Sequence, residues 1–371
     1  MHGEIHAEHV PDGTGPPQRP QPPPAAAQRV ADELLTRHGL GHALHLEVAP
    51  GGLLNQNLFA TTARGAFFLK GYRYPDPAPI IREHKLIAFV RSCAVPALAP
   101  LPSPTGDSFV RVGGRHWAVF PRLDAAQPSR DAVTPWMAAE IGRTLGQIHV
   151  ALAALPPLDT AQFPAKHTWS TERVIDDMIE YEVEIGRRLA PDPFDQHARR
   201  SFAYRRTLLA AGVPAPEEFA QLPSQVLHGD YHTGNLFVDK DGSVSAVIDW
   251  ELACTGARAW EVVRALNLAL PLGDDLTEDW GRLRAFIHGY AAIAPLTDQE
   301  CAAMPDLYWA ARVHSLWVYE EHYRKGAART DRLAMEDLET LQWLASHRQE
   351  LRTALRDALA NAPGPQLSRS S

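Results

Sequence analysis

Residues 225–254, QVLHGDYHTGNLFVDKDGSVSAVIDWELAC, decide how the rest of the chain is read. Two short apolar runs, Leu236-Phe237-Val238 and Ser245-Ala246-Val247-Ile248, flank the turn Asp239-Lys240-Asp241-Gly242, the pattern of a β-hairpin. Asn235 opens the hairpin and Asp249 follows its return, so the ribbon can bring together two side chains fourteen positions apart. Oxygen-bearing side chains at adjacent strand ends suit a hard cation such as Mg²⁺, which prefers a few carboxylate and carbonyl oxygens completed by phosphate and water. Asp230 lies five residues before Asn235, on the preceding loop, where it can face a hydroxyl group as its base. Asp and Asn also favour turns for their own sake, and Asp241-Gly242 is read as nothing more.

The run His228-Gly229-Asp230, four residues, Asn235, and then Asp249-Trp250-Glu251 resembles the signature of the aminoglycoside phosphotransferase and choline kinase group, small-molecule relatives of the protein kinases. Protein kinases carry H-R-D-x-x-x-x-N followed by D-F-G. Glycine after the histidine marks the small-molecule branch. The resemblance implies an α+β, bilobal protein kinase-like fold with a small antiparallel-sheet N-lobe and a large helical C-lobe. It implies ATP and Mg²⁺ as cofactors, with Asp230 positioning or deprotonating the acceptor hydroxyl. Asn235 and Asp249 would then hold the metal that bridges the phosphates. His228 braces the loop by hydrogen bonding, while His232 is expected to face solvent.

Upstream, a kinase needs a cation on the nucleotide phosphates, held by a helix carboxylate. AFFLKGY (66–72) supplies Lys70 at the end of an apolar strand, and PIIREHKLIAFVRSC (79–93) supplies Glu83 on the following helix. Ile81, Leu86, Ile87 and Val90 mark that helix's inward face. Lysines number 5 against 31 arginines, which makes the placement of Lys70 harder to ascribe to chance. Gly51 and Gly52 open a looser phosphate-covering turn than the GxGxxG of protein kinases, with no Cβ to keep phosphate away. HWAVFPRLD (116–124) is read as the hinge, where Phe120 to Leu123 would face adenine; Pro121 lacks an N–H and cannot be the donor.

Further strands are expected at 45–49, 57–63 and 109–120, and long helices from about residue 130. The expected division is a Pro-rich disordered leader over 1–28, an N-lobe over 29–122, a helical C-lobe over 123–361 and a flexible tail over 362–371. Within the C-lobe, Trp136, Leu145 and Ile148 are expected in the core, and His149 beneath the catalytic loop. Acceptor recognition is assigned to Glu251, two residues past Asp249, and to Trp309 and Glu320, expected on one helix. Acids and aromatic rings together would suit an amino-bearing substrate.

Composition narrows the partners. Hydrophobic residues at 45% allow a sizeable core, and a net charge of −8 argues against a nucleic-acid surface. Three dispersed cysteines suggest neither a disulfide framework nor a zinc site. No run is long and apolar enough for a membrane span, so a cytoplasmic protein is expected. The expected partners are ATP and a small hydroxylated acceptor, with no nucleic acid and no membrane; oligomeric state is not legible. An amino alcohol or amino-acid metabolite such as homoserine leads among acceptors, and an aminoglycoside antibiotic is the alternative. A Ser/Thr protein kinase-like stress protein is the alternative of another class, but no A-P-E segment follows Asp249.

Overall fold

The structure, a computed structural model, describes residues 25–49, 55–166, 168–270 and 276–362. Residues 1–24 of the expected leader, Gly51 and Gly52, and all of the expected tail but Ala362 lie outside the described residues; 25–28 open the first helix. The chain runs α1 (Ala25–Arg37), β1 (His45–Val48), β2 (Gln56–Thr62), β3 (Gly65–Gly71), α2 (Ala78–Ser92), β4 (Val110–Val112) and β5 (Arg115–Pro121). It continues through α3 (Pro135–Ala153), α4 (Pro157–Thr160), α5 (Thr171–Arg187), α6 (Pro193–Ala211), β6 (Ser224–Leu227), β7 (Leu236–Val238), β8 (Val244–Val247) and β9 (Cys254–Ala257). The remainder is helical: α7 (Arg258–Ala269), α8 (Leu276–Ala291), α9 (Asp298–Val313), α10 (Trp317–Tyr323) and α11 (Asp331–Ala360).

Two compact units emerge. Among the described residues, the first takes Ala25–Ser129 together with Gly234–Glu251; the second takes Arg130–Thr233 and Leu252–Ala362. Within the first unit the β7–β8 hairpin segment is tied down by a bridge from Ala97 to Val247, another from Ala126 to Val238, and the ion pairs of Asp249 and Glu251 with Lys70, among other contacts.

The first unit is built on an antiparallel sheet ordered β1-β2-β3-β5-β4. Its residues alternate between two faces, as the period of a strand requires. Trp117 and Val119 join Leu58, Ala60 and Leu69 against Ala31, Leu34 and Leu35 of α1. Ala118 and Phe120 point the other way, towards Tyr72 and Ile80. The buried face of α2 starts at Ile80 rather than the expected Ile81, which is 40% exposed. Glu83 and His84 are buried on that helix, so its inward face is chemical as well as apolar.

In the second unit, α3 and α8 cross at backbone contact. A Cβ on Gly142 would sit 2.1 Å from the Phe286 carbonyl oxygen, and one on Gly289 2.0 Å from that of Ala139. Leu145 and Ile148 of α3 are fully buried, as expected, but Trp136 is exposed. It occupies the first turn, just after the Thr134 cap and Pro135, ahead of the packed face. A separate core joins α5, α6, α10 and α11 through Met178, Phe202, Tyr319 and Ala334. Two strands were not anticipated: β6 and β9 pair antiparallel, Leu227 opposite Cys254. They frame the loop that carries Asp230.

Candidate active site

In the first unit, β3 sets Lys70 between Asn57 of β2 and Ala118 of β5. Its ammonium lies 3.1 Å from Glu83 Oε1, 2.9 Å from Asp249 Oδ1 and 3.1 Å from Glu251 Oε2. Burial on its own disfavours the charged lysine, yet Asp249, Glu251 and Glu83 outweigh it and hold the pKa well above the usual range. Burial pushes the Glu83 carboxyl up to about 7 against the opposing pull of Lys70. Three carboxylates against one ammonium leave an excess of negative charge.

The hairpin delivers two of the oxygen donors. Leu236 pairs with Val247, and the Ile248 N–H donates to the Asn235 carbonyl at 3.0 Å, so Asn235 and Asp249 both stand at the open end of the ribbon. Asp249 has φ +61°, a left-handed conformation that Asp tolerates better than most residues, and its side chain remains 40% exposed. The buried Trp250 indole donates to the Val247 carbonyl and fixes the turn behind it. Hard oxygens on Asn235 and Asp249, in a setting of excess negative charge, fit a divalent cation such as Mg²⁺.

Glu251, expected at the acceptor, is engaged within the first unit. Its carboxylate ion-pairs with Lys70 and accepts a 2.8 Å hydrogen bond from Asn55, whose own side-chain oxygen accepts from the Arg73 amide. Along β5, Phe120 is buried and Leu123 partly exposed. The Arg122 N–H is spent on the Ala66 carbonyl, whereas no backbone carbonyl among the described residues takes the Leu123 N–H.

In the second unit, the loop after β6 is shaped by Gly229, which has φ +84° and whose Cβ would sit 2.0 Å from the Leu252 carbonyl oxygen. Glu261 of α7 anchors the loop from below: its carboxylate accepts from the His228 and Gly229 amides and meets His149 Nε2 at 2.9 Å. His149 Nδ1 lies 2.7 Å from the Tyr290 hydroxyl. Burial opposes the Glu261 charge, but His149, His228 and the Gly229 amide more than compensate, so its pKa is lowered. His149 thus lies beneath the loop, and His228 Nδ1 accepts from the Asp230 amide.

Asp230 is buried. Arg264 Nη2 is 2.7 Å from its Oδ1 and His232 Nε2 is 3.5 Å from its Oδ2. Burial raises its pKa, but His232 and Arg264 overcome that and hold it well below the usual carboxylate range. His232 does not face solvent: it is 1% exposed, because the loop turns it inward onto Asp230. Glu261 and Arg264 were not anticipated, although their i, i+3 spacing in ARAWEVVR places both on one side of α7.

The other acceptor candidates do not share one helix as expected. Trp309 and Glu320 are on separate helices, because α9 stops at Val313 and His314 turns back to bond the Ala310 carbonyl and Thr171. Trp309 is buried beneath the Arg348 guanidinium, and Glu320 pairs with Lys325. The acids of α5 are engaged as well: Asp177 and Glu180 both hold Arg324.

Comparison with known proteins agrees with this architecture. The "Homoserine kinase" of Methylobacillus flagellatus is 27% identical over 292 residues, covering 76% of this chain and 83% of that protein. That of Methylobacterium radiotolerans is 28% identical, covering 74% and 79%. Among solved structures, a spectinomycin phosphotransferase in complex with ADP and spectinomycin superposes with TM-score 0.62 at 15% identity, covering 89% of this chain and 98% of that one. A microcompartment-associated aminopropanol kinase superposes with TM-score 0.56 at 18% identity, covering 86% and 98%. At these identities the structures speak to the fold alone. Residues 45–296 match the phosphotransferase enzyme family, about two thirds of the chain. The chain belongs to the phosphotransferase enzyme family and is a small-molecule phosphotransferase of the protein kinase-like fold.

Proposed function

We propose that this enzyme uses ATP and Mg²⁺ to phosphorylate the hydroxyl group of a small amino-acid acceptor, L-homoserine being the leading one. The observation that carries the phosphoryl-transfer chemistry is the Lys70 cluster, whose surplus of carboxylates calls for a divalent cation and whose lysine supplies a cation for phosphate. Asn235 and Asp249 would hold the metal, which when bound neutralises charge on the phosphates. Asp230 would accept the acceptor hydroxyl's hydrogen bond. The hydroxyl oxygen then bonds to the γ-phosphorus as the bond to the β-phosphate oxygen breaks, ADP departs, and the proton passes to Asp230. A carboxylate kept ionised by Arg264 and His232 is a weak base, so its main contribution is orientation for in-line attack.

The choice of homoserine rests on the curated relatives, which share 27% and 28% identity over about three quarters of the chain. An ATP-consumption screen over hydroxylated amino acids, amino alcohols, sugars and aminoglycosides tests the reading. Saturable, Mg²⁺-dependent turnover of L-homoserine is expected. Turnover confined to an aminoglycoside overturns the acceptor assignment and leaves the phosphotransferase standing.

A further inference from the structure

Near Asp230 lies a cation the proposed chemistry does not use. Lys166 is partly exposed, and its ammonium rests 4.9 Å from the centre of the Trp260 ring. Arg264 contacts the same indole at 5.5 Å while pairing with Asp230. No carboxylate among the described residues lies within ion-pair distance of the Lys166 ammonium. The neighbouring acids are committed elsewhere: Asp230 to Arg264 and His232, Glu261 to His149 and two loop amides. Desolvation, aided by the Arg264 charge, lowers the Lys166 pKa against the opposing pull of Cys254, Asp230 and Glu261. Lysine is also scarce in this chain, and arginine would have served equally on an ordinary solvated face.

A partly shielded cation with no ion pair is available to an incoming anion, and an indole face offers only partial compensation. We infer that Lys166, seated on Trp260 beside Arg264, is the contact for a carboxylate of the acceptor, making the substrate a hydroxy acid rather than a simple amino alcohol or a polycationic sugar. The inference rests on the acceptor reading above and gives it a structural cause. An acceptor bearing a carboxylate enters with the charge Lys166 lacks, and its hydroxyl can extend towards Asp230. A polycationic aminoglycoside would instead meet Lys166 and Arg264 as like charges.

The test compares L-homoserine with 3-aminopropan-1-ol, the same chain without the α-carboxylate, in the wild-type enzyme, Lys166→Met and Lys166→Arg. Wild type is expected to favour L-homoserine. Lys166→Met should raise the KM for L-homoserine by about 10- to 100-fold, the size of a lost charged hydrogen bond, with kcat within about twofold. Kinetics with 3-aminopropan-1-ol should stay within about twofold, and Lys166→Arg should recover most of the L-homoserine affinity. An unchanged KM for L-homoserine overturns the inference. So does an equal fall of kcat with both acceptors, which would assign Lys166 to the transferred phosphoryl group. Wild-type turnover of 3-aminopropan-1-ol or an aminoglycoside, but not of L-homoserine, removes the carboxylate contact and leaves the kinase intact. Turnover of neither acceptor overturns the homoserine reading and the inference with it, and leaves the family membership standing.

Discussion

The two chemical clusters of this protein are close to charge inverses of one another. Around Lys70 one ammonium is surrounded by Glu83, Asp249 and Glu251; around Asp230 one carboxylate is surrounded by Arg264, His232 and, on the same Trp260 ring, Lys166. The first has a surplus of negative charge and is suited to a metal cation. The second sets two cations, Arg264 and Lys166, on one indole beside Asp230, and on the inference above it is suited to an anionic acceptor. Charge of either sign held out of water is stabilised only by a partner, so each surplus describes the ligand that completes it. On the proposed reading, an acidic chain binds two anionic substrates because a metal ion accompanies one and local cations meet the other.

Breaking the first cluster should have the largest effect. Lys70→Met leaves three carboxylates with no countercharge, and kcat/KM for ATP should fall by about 10³-fold, read by steady-state kinetics. A smaller loss would mean that Glu83, Asp249 and Glu251 do not depend on that ammonium. Next is the support of the second cluster. Glu261→Ala strips the His228 and Gly229 amides and His149 of their shared acceptor, and should destabilise the fold by about 3 kcal/mol in chemical denaturation. A wild-type midpoint would show that the loop is held by something else.

Acid provides a third handle. Burial, aided by the Lys70 charge, lowers the His84 pKa to about 4 from an ordinary 6.5; its ring sits between the Tyr72 hydroxyl and Ser108. Because the folded pKa is depressed, this contribution is fully present above pH 6.5 and is lost as pH falls towards 4. The loss approaches about 3 kcal/mol, since each pKa unit is about 1.4 kcal/mol. It is read as the difference between wild type and His84→Gln across that range, which cancels the opposite trend expected of Glu83. A difference independent of pH would place the titration elsewhere. The smallest effect belongs to Glu251→Gln, which keeps the Asn55 hydrogen bond but weakens the Lys70 pair; a KM for ATP raised about tenfold is expected, and an unchanged KM would remove Glu251 from the cluster.

Much of this was legible in sequence because it was local. The β7–β8 hairpin, the strands of the small antiparallel sheet and the pairing of Lys70 with Glu83 follow from strand periodicity and a short strand-to-helix step. What escaped was set by distant packing. Arg264 and Glu261 reach the loop from a helix more than thirty positions downstream, with nothing local to announce them. His232 follows no burial rule of its own and is turned inward by the loop. Glu251 was assigned to the acceptor by its position after Asp249, but the ribbon aims it at Lys70 and Asn55. Trp309 and Glu320 were joined by a helical pattern that the backbone breaks at His314.

The division of labour between the clusters is tested most directly by calorimetric titration of ATP with and without Mg²⁺, alongside turnover, for Asp230→Asn and Asp249→Asn. Asp230→Asn should bind MgATP with wild-type affinity while kcat falls by about 10³-fold. Asp249→Asn should lose the Mg²⁺-dependent part of nucleotide affinity. Wild-type turnover by Asp230→Asn, or MgATP affinity lost in Asp230→Asn and kept in Asp249→Asn, would contradict the account.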